Sequence, residues 1–249
     1  DRYAVAETYL RAVLRQRPNN VYALTSLSGA LLELGQLAEA EQLAIRAIQL
    51  DGAHAPAHSA LGRALLNRSR HAQAGVSFGR AIQLEPNDPR LMTSLLYCMA
   101  QDEAADPQRL ASLHRAFGKK FGANLRDHNQ VHTNARDPGK RLRVGFVSGD
   151  LRQHAMAYFV EPVWRELDRT QVELFAYANL LQEDATSQRL KPLVDRWRLV
   201  HSLDDAQLAQ LVRDDGIDIL IDLSGHTVLN RLLAFARKPA PVQASWIGY

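Results

Sequence analysis

The chain has one cysteine, Cys98, which rules out an internal disulfide and suits a reducing compartment, the cytoplasm. Cys98 stands in LMTSLLYCMA, a run that reads as a buried structural thiol rather than a nucleophile. Long apolar runs are also missing. Nothing approaches the roughly 18 residues that cross a bilayer, and IDILIDLSG is broken by Asp218 and Asp222, so no membrane partner is expected. There is no dominant charge patch either: the formal net charge is +3, and Lys and Arg are scattered among acids, so nucleic acid is not implied. The chain starts at Asp1 without a methionine or signal-like stretch and stops at Tyr249 straight after a strand-like run, so both ends read as cut. What remains is 249 residues, 46% of them apolar, enough for one large domain or two ordinary ones.

The first half repeats itself. RAIQL occurs at Arg46–Leu50 and again at Arg80–Leu84, an offset of 34, which is the tetratricopeptide period. The same register aligns Leu27 with Leu61, Leu31 with Leu65, Ala40 with Ala74, Ala44 with Phe78 and Ala47 with Ala81. The second copy carries Gly62 and Pro86 where the first has Ser28 and Gly52. Run backwards, the register puts Ala6, Leu10, Val13 and Pro18 on the second helix of an earlier unit. Such helical hairpins stack to make a core and leave a groove suited to polypeptide acceptors or partner proteins. His54 and His58 have metal-like spacing, but Pro56 suggests a helix start between them and no third ligand is evident; His128 and His132 share the spacing in a polar linker, and no metal is assigned. Leu91–Ala100 begins a further helix, and Pro107–Phe121 reads as another from Leu110, Leu113, Phe117 and Phe121. The domain reading is repeats and connecting helices over 1–121, a linker or covering segment over 122–140, and an α/β domain over 141–249.

In that last domain, RLRVGFVSGDLRQH reads as strand, loop and helix start. Helix Ala157–Leu167, strand Val172–Tyr177, helix Gln188–Val194 and strand Trp197–Val200 follow. Helix Asp205–Asp214, strand Ile217–Asp222, helix Leu229–Ala236 and strand Val242–Tyr249 complete the alternation. This predicts a Rossmann-like parallel sheet; if its order is the usual 3-2-1-4-5, the first and fourth strands are neighbours and the switch-point crevice lies between them. Gly149, Asp150 and His154 follow the first strand; Asp222, Gly225, His226 and Thr227 follow the fourth. A ligand site there would collect two histidines and two carboxylates. The same residues can equally serve structure: glycines for tight turns, Asp150 as a helix cap, His226 bonded to a loop carbonyl. GFVSGD is neither a Walker loop nor a GxGxxG fingerprint, and no Gly-x-Ser-x-Gly elbow occurs, so neither a nucleotide redox cofactor nor a repeat-linked hydrolase is favoured.

Tetratricopeptide repeats followed by RLRVGFVSGDLRQH, DGIDILIDLSGHT and KPAPVQASWIGY together resemble the O-linked N-acetylglucosamine transferases and their plant O-fucosyltransferase relatives, glycosyltransferase family 41, and a bacterial homologue above all. The resemblance implies the first half of a GT-B fold, with the carboxyl-terminal catalytic half as a necessary partner. It further implies inverting transfer of a sugar from UDP-N-acetylglucosamine to Ser or Thr hydroxyls, with no cofactor and no metal. It places His154 at the sugar-phosphate end of the cleft, as base or ligand-orienting group. Gly149, Asp150, Asp222, Gly225, His226, Thr227 and Tyr249 would line that cleft. Family members carry His or Tyr at the position of His226, which argues against obligatory proton transfer there. A noncatalytic repeat scaffold with an α/β docking or ligand-sensing module is the other reading that the residues allow.

Overall fold

The structure is a computed structural model and describes residues 2–128 and 131–248, the side chains of 126–128 left aside. The chain forms two compact units, Asp1–Arg115 and Ala116–Tyr249. In the first, helices α1 (Arg2–Gln16), α2 (Val21–Glu33), α3 (Leu37–Leu50), α4 (Ala55–Leu66), α5 (His71–Leu84) and α6 (Pro89–Ala100) each pack on the next, and α7 (Pro107–Phe117) follows. Sequence punctuation sets their ends. Asn20 accepts the Ala23 N–H at the start of α2, and Pro56 and Pro89 occupy first-turn positions where no intrahelical donor is needed. After α2, Gly35 takes φ +74°; its N–H reaches the Leu32 carbonyl, and the Gln36 N–H reaches that of Leu31. This is a Schellman ending. One period later Ser69 adopts φ 57° with the same two bonds, to Leu66 and Leu65.

The small residues of the repeat explain how its two helices approach. In the second copy Phe78 is fully buried, and a Cβ added at Gly62 would lie 2.7 Å from its ring, so only glycine fits. In the first copy the equivalent of Phe78 is the buried Ala44, which leaves room for Ser28; its hydroxyl donates to the Ala40 carbonyl at 2.7 Å. Ser28 with Ala44 and Gly62 with Phe78 are thus two solutions of one packing problem. Buried Glu41 accepts from both Arg68 and Arg70, each at 2.6 Å. Cys98 is buried, its Sγ 3.4 Å from the His71 carbonyl, and burial pushes the thiol pKa up to about 11. His54 and His58 go to different surroundings: His54 sits buried edge-on to Tyr22, and His58 Nε2 meets the Gly52 carbonyl at 3.1 Å.

The second unit begins at Ala116 with the last residues of α7, Phe117 among them, and continues through a π-helical turn, Gly118–Gly122, and a 3-10 turn, Ala123–His128. The helical spacing of Phe117 and Phe121 predicted one helix to Phe121; the α-helix ends at Phe117 and the wider turn carries the chain on. The alternation then runs β1 (Leu142–Ser148), α8 (Ala155–Glu166), β2 (Val172–Ala178), α9 (Ala185–Leu190), β3 (Arg196–Leu199), α10 (Asp205–Asp214), β4 (Ile219–Asp222), α11 (Leu232–Ala236) and β5 (Val242–Ser245). All pairings are parallel, as the alternation predicted, and the order β3-β2-β1-β4-β5 is the usual one for such a sheet. Helix Gln188–Val194 is corrected. Asp184 caps an earlier start at Ala185, and the Pro192 segment is a 3-10 turn, since proline has no N–H to continue the α ladder. Helix Leu229–Ala236 shortens because Leu229 sits at φ 63°.

Strand β1 is central and covered on both faces, which accounts for its nearly unbroken apolar run. Phe146 packs edge-on against Trp164 of α8 on one face, while Val147 joins Tyr177, Leu208 and Leu220 on the other. Gly145 is required there, since a Cβ would come within 2.9 Å of the Tyr177 ring. Asn134 and Lys140, from the segment before β1, reach the residues that lead into β4. Buried Asp218 accepts from Asn134 Nδ2 at 2.7 Å, Lys140 Nζ at 2.5 Å and the Arg143 N–H at 3.0 Å. Burial pushes the Asp218 pKa up, but these donors outweigh it and hold the carboxyl below its ordinary value. Among the described residues no helix is long and apolar enough to cross a membrane.

Candidate functional site

Because β1 and β4 pair in parallel with Val147 opposite Asp222, the loops leaving their carboxyl ends emerge side by side. They are bonded to each other. Ser224 Oγ lies 3.4 Å from the Gly149 N–H and 3.5 Å from Ser148 Oγ, and Ser148 Oγ in turn accepts the Asp150 N–H at 2.9 Å. Gly149 is needed for that approach, since a Cβ there would stand 2.7 Å from Leu229 Cβ.

Asp222 is the hub of the β4 loop. Its carboxylate is buried and accepts the Ser224 N–H at 3.1 Å and the Gly225 N–H at 2.9 Å; the Ser245 hydroxyl, from β5, donates at 3.3 Å. Burial raises its pKa, and these donors offset only part of that. The side chain is therefore engaged with its own loop, which bends through Gly225 at φ 57°. Thr227 turns inward, its Oγ1 donating to the Ser224 carbonyl at 2.9 Å. His226 is buried, its ring perpendicular to that of Phe117 at a centroid distance of 4.8 Å. Gly248 closes the third side; a Cβ there would meet the Gly225 nitrogen at 2.6 Å.

On the β1 side, Asp150 is buried and its carboxylate lies 3.5 Å from the exposed Arg152 guanidinium. His154 is exposed at the head of α8, in extended conformation, where Nδ1 accepts the Met156 N–H at 3.2 Å. A neutral imidazole that accepts at Nδ1 carries its proton on Nε2, so the nitrogen left to a ligand is a donor. Two residues the sequence reading passed over complete the rim. Asn179, directly after β2, donates its N–H to the Ser148 carbonyl at 2.8 Å and its Nδ2 to the Leu229 carbonyl at 2.7 Å. Asp184 accepts the Gln153 N–H at 2.6 Å while capping α9. Their signal was the position just past the carboxyl end of β2. The structure joins Gly149, Asp150, Asp222, Gly225, His226 and Thr227 in one connected set of loops, with His154 at the start of the helix that follows; Tyr249 lies outside the described residues. Among the described residues no three His, Cys, Asp or Glu side chains gather as a metal cluster would require.

Helical-hairpin repeats ahead of a doubly wound sheet, with hydrogen-bonded loops at the switch point, define a repeat-bearing protein with a Rossmann-like α/β unit. Residues 93–249 match the sequence profile of glycosyl transferase family 41, and residues 1–64 match a tetratricopeptide repeat profile. The chain belongs to glycosyl transferase family 41. A solved structure titled Thermobaculum terrenum O-GlcNAc transferase mutant K341M is 38% identical and superposes with a TM-score of 0.93, covering 99% of this chain and 47% of that one. The probable UDP-N-acetylglucosamine–peptide N-acetylglucosaminyltransferase SPINDLY of Hordeum vulgare is 33% identical over 171 residues, 67% of this chain and 18% of that protein. The UDP-N-acetylglucosamine–peptide N-acetylglucosaminyltransferase of Caenorhabditis elegans is 37% identical over 117 residues, 45% of this chain and 10% of that protein. The chain thus spans about a fifth or less of the length of these two relatives.

Proposed function

We propose that the full-length protein transfers N-acetylglucosamine from UDP-N-acetylglucosamine to Ser or Thr hydroxyls of polypeptides, with inversion, and that this chain supplies its repeats and the first half of its catalytic region. The carrying observation is family membership over 93–249 together with 38% identity across 99% of the chain to a bacterial O-GlcNAc transferase. The proposed setting is the cytoplasm. The repeats receive polypeptide acceptors or partners, and the carboxyl-terminal half supplies most of the donor site. Gly149, Asp150, Asp222, Gly225, His226, Thr227 and Tyr249 belong to the wall of the cleft in this reading. Asp222 and Thr227 act by shaping the loop, because their polar groups are already engaged within it.

The transfer needs the acceptor oriented, its proton removed and the departing diphosphate stabilised. The helix-capping bond at His154 Nδ1 favours one of the two roles that the sequence left open: Nε2–H donates to a phosphate or sugar oxygen, and the proton of the acceptor hydroxyl leaves by another group. In the full-length protein, His154→Ala lowers turnover by about 10²-fold, the scale of losing one donor to a developing anion. His154→Asn keeps an acceptor for the cap and a donor amide but cannot act as a base, so it retains clearly more activity than Ala. Equal loss in both variants with the fold intact would return His154 to the role of base; near-normal turnover in both would remove it from the mechanism.

A further inference from the structure

One aromatic contact to His226 comes from a segment far from it in sequence. Phe117 ends α7 and the π turn Gly118–Gly122 follows; Phe121 from that turn meets Phe117 at a ring-centroid distance of 5.1 Å with the rings tilted by 53°, and Lys120 Nζ lies 5.4 Å from the Phe121 ring centroid. Phe117 is 7% exposed and His226 8%, their rings perpendicular at 88°. Helix α11, which leaves the His226 loop, packs against the same π turn and the 3-10 turn after it. The His226 loop is thus held from beneath by Asp222 and from the side by an aromatic pair that enters the fold before β1. A π turn inserted where an α-helix would otherwise continue is a feature that gathers at functional sites.

We infer that Phe117 is a positioning residue of the transfer site, setting the orientation of the His226 imidazole at the wall of the cleft through their perpendicular ring contact. The inference rests on the proposed transferase reading. Phe117 touches no reacting atom in this account; it acts only through His226.

The test is a double-mutant cycle in the full-length protein, with Phe117→Leu made in the native and the His226→Ala backgrounds. Replacing the ring lowers kcat/KM for peptide glycosylation about two- to tenfold in the native background, the scale of one edge-on aromatic contact, and has no further effect once His226 is gone. An equal drop in both backgrounds marks Phe117 as purely structural and overturns the proposal; so does the absence of any drop. A nuclear magnetic resonance readout runs beside it: the carbon-bound ring protons of His226 are displaced by the Phe117 ring current and return toward ordinary positions in Phe117→Leu, while the dispersion of the remaining resonances shows the fold retained. If the wild-type protein transfers no sugar, the transferase reading fails by itself, and the positioning claim is decided by these resonances, which must move for it to stand.

Discussion

The pairing of residues 62 and 78 makes a quantitative prediction because the protein contains its own control. A Cβ at position 62 would lie 2.7, 2.8 and 2.9 Å from three carbons of the Phe78 ring. Relaxed carbon contacts are about 3.5–4.0 Å, so the ring must retreat by most of an ångström from a fully buried position. Gly62→Ser alone is therefore an overpacking change costing about 1–3 kcal/mol. Phe78→Ala alone opens a cavity and costs about 3–5 kcal/mol. The double variant recreates the Ser28 and Ala44 arrangement of the first repeat, including a carbonyl at Ala74 equivalent to the one that Ser28 uses at Ala40. Its loss should be at least about 1 kcal/mol smaller than the sum of the single losses. All three tryptophans, Trp164, Trp197 and Trp246, lie in the second unit, so urea unfolding followed by tryptophan fluorescence isolates that unit while far-ultraviolet circular dichroism is dominated by the helices of the first. The dichroism transition should shift and the fluorescence transition stay. Strictly additive losses would refute the claim that the two repeats solve one steric problem.

Two further predictions concern the second unit. Gly149→Ala drives a methyl into Leu229, whose carbonyl is tied to Asn179; the fluorescence-detected unfolding midpoint should fall by the equivalent of about 1–3 kcal/mol, and an unchanged midpoint would show that the loops are not in register as described. Asp218, held below its ordinary pKa by its donors against the pull of burial, gives stability that is complete above the unfolded carboxyl value near 3.8 and is lost as pH falls through the lower folded value. Asp218→Asn should flatten that acid limb and cost about 1–3 kcal/mol at neutral pH by leaving Lys140 without its carboxylate; identical acid limbs in the two proteins would contradict it.

The architecture was legible because its determinants are local or periodic. The 34-residue register of RAIQL names the helical hairpins, and apolar runs alternating with helical segments name the parallel sheet. Boundaries slipped where one backbone choice decides them: Pro192 ends an α ladder, and Leu229 in a left-handed conformation postpones a helix. The candidate site was legible as a place, since topology alone brings the loops after β1 and β4 together. What its side chains do there was not. That Asp222 spends its carboxylate on two loop amides, that His154 caps a helix with Nδ1, and that Phe117 meets His226 across more than a hundred residues of sequence are tertiary facts that no spacing announces.

The central proposal is that this chain supplies repeats and the first half of the catalytic region of a longer sugar transferase. The direct measurement is the mass of a Ser- and Thr-containing polypeptide after incubation with the full-length protein and UDP-N-acetylglucosamine, beside the His154→Ala protein and a control lacking donor. The account predicts donor-dependent addition of one N-acetylhexosamine per modified hydroxyl, with release of an equal amount of UDP and a large reduction in the variant. No addition to any polypeptide by a folded protein that also fails to bind UDP would contradict it, and would leave the repeats and sheet as a noncatalytic scaffold.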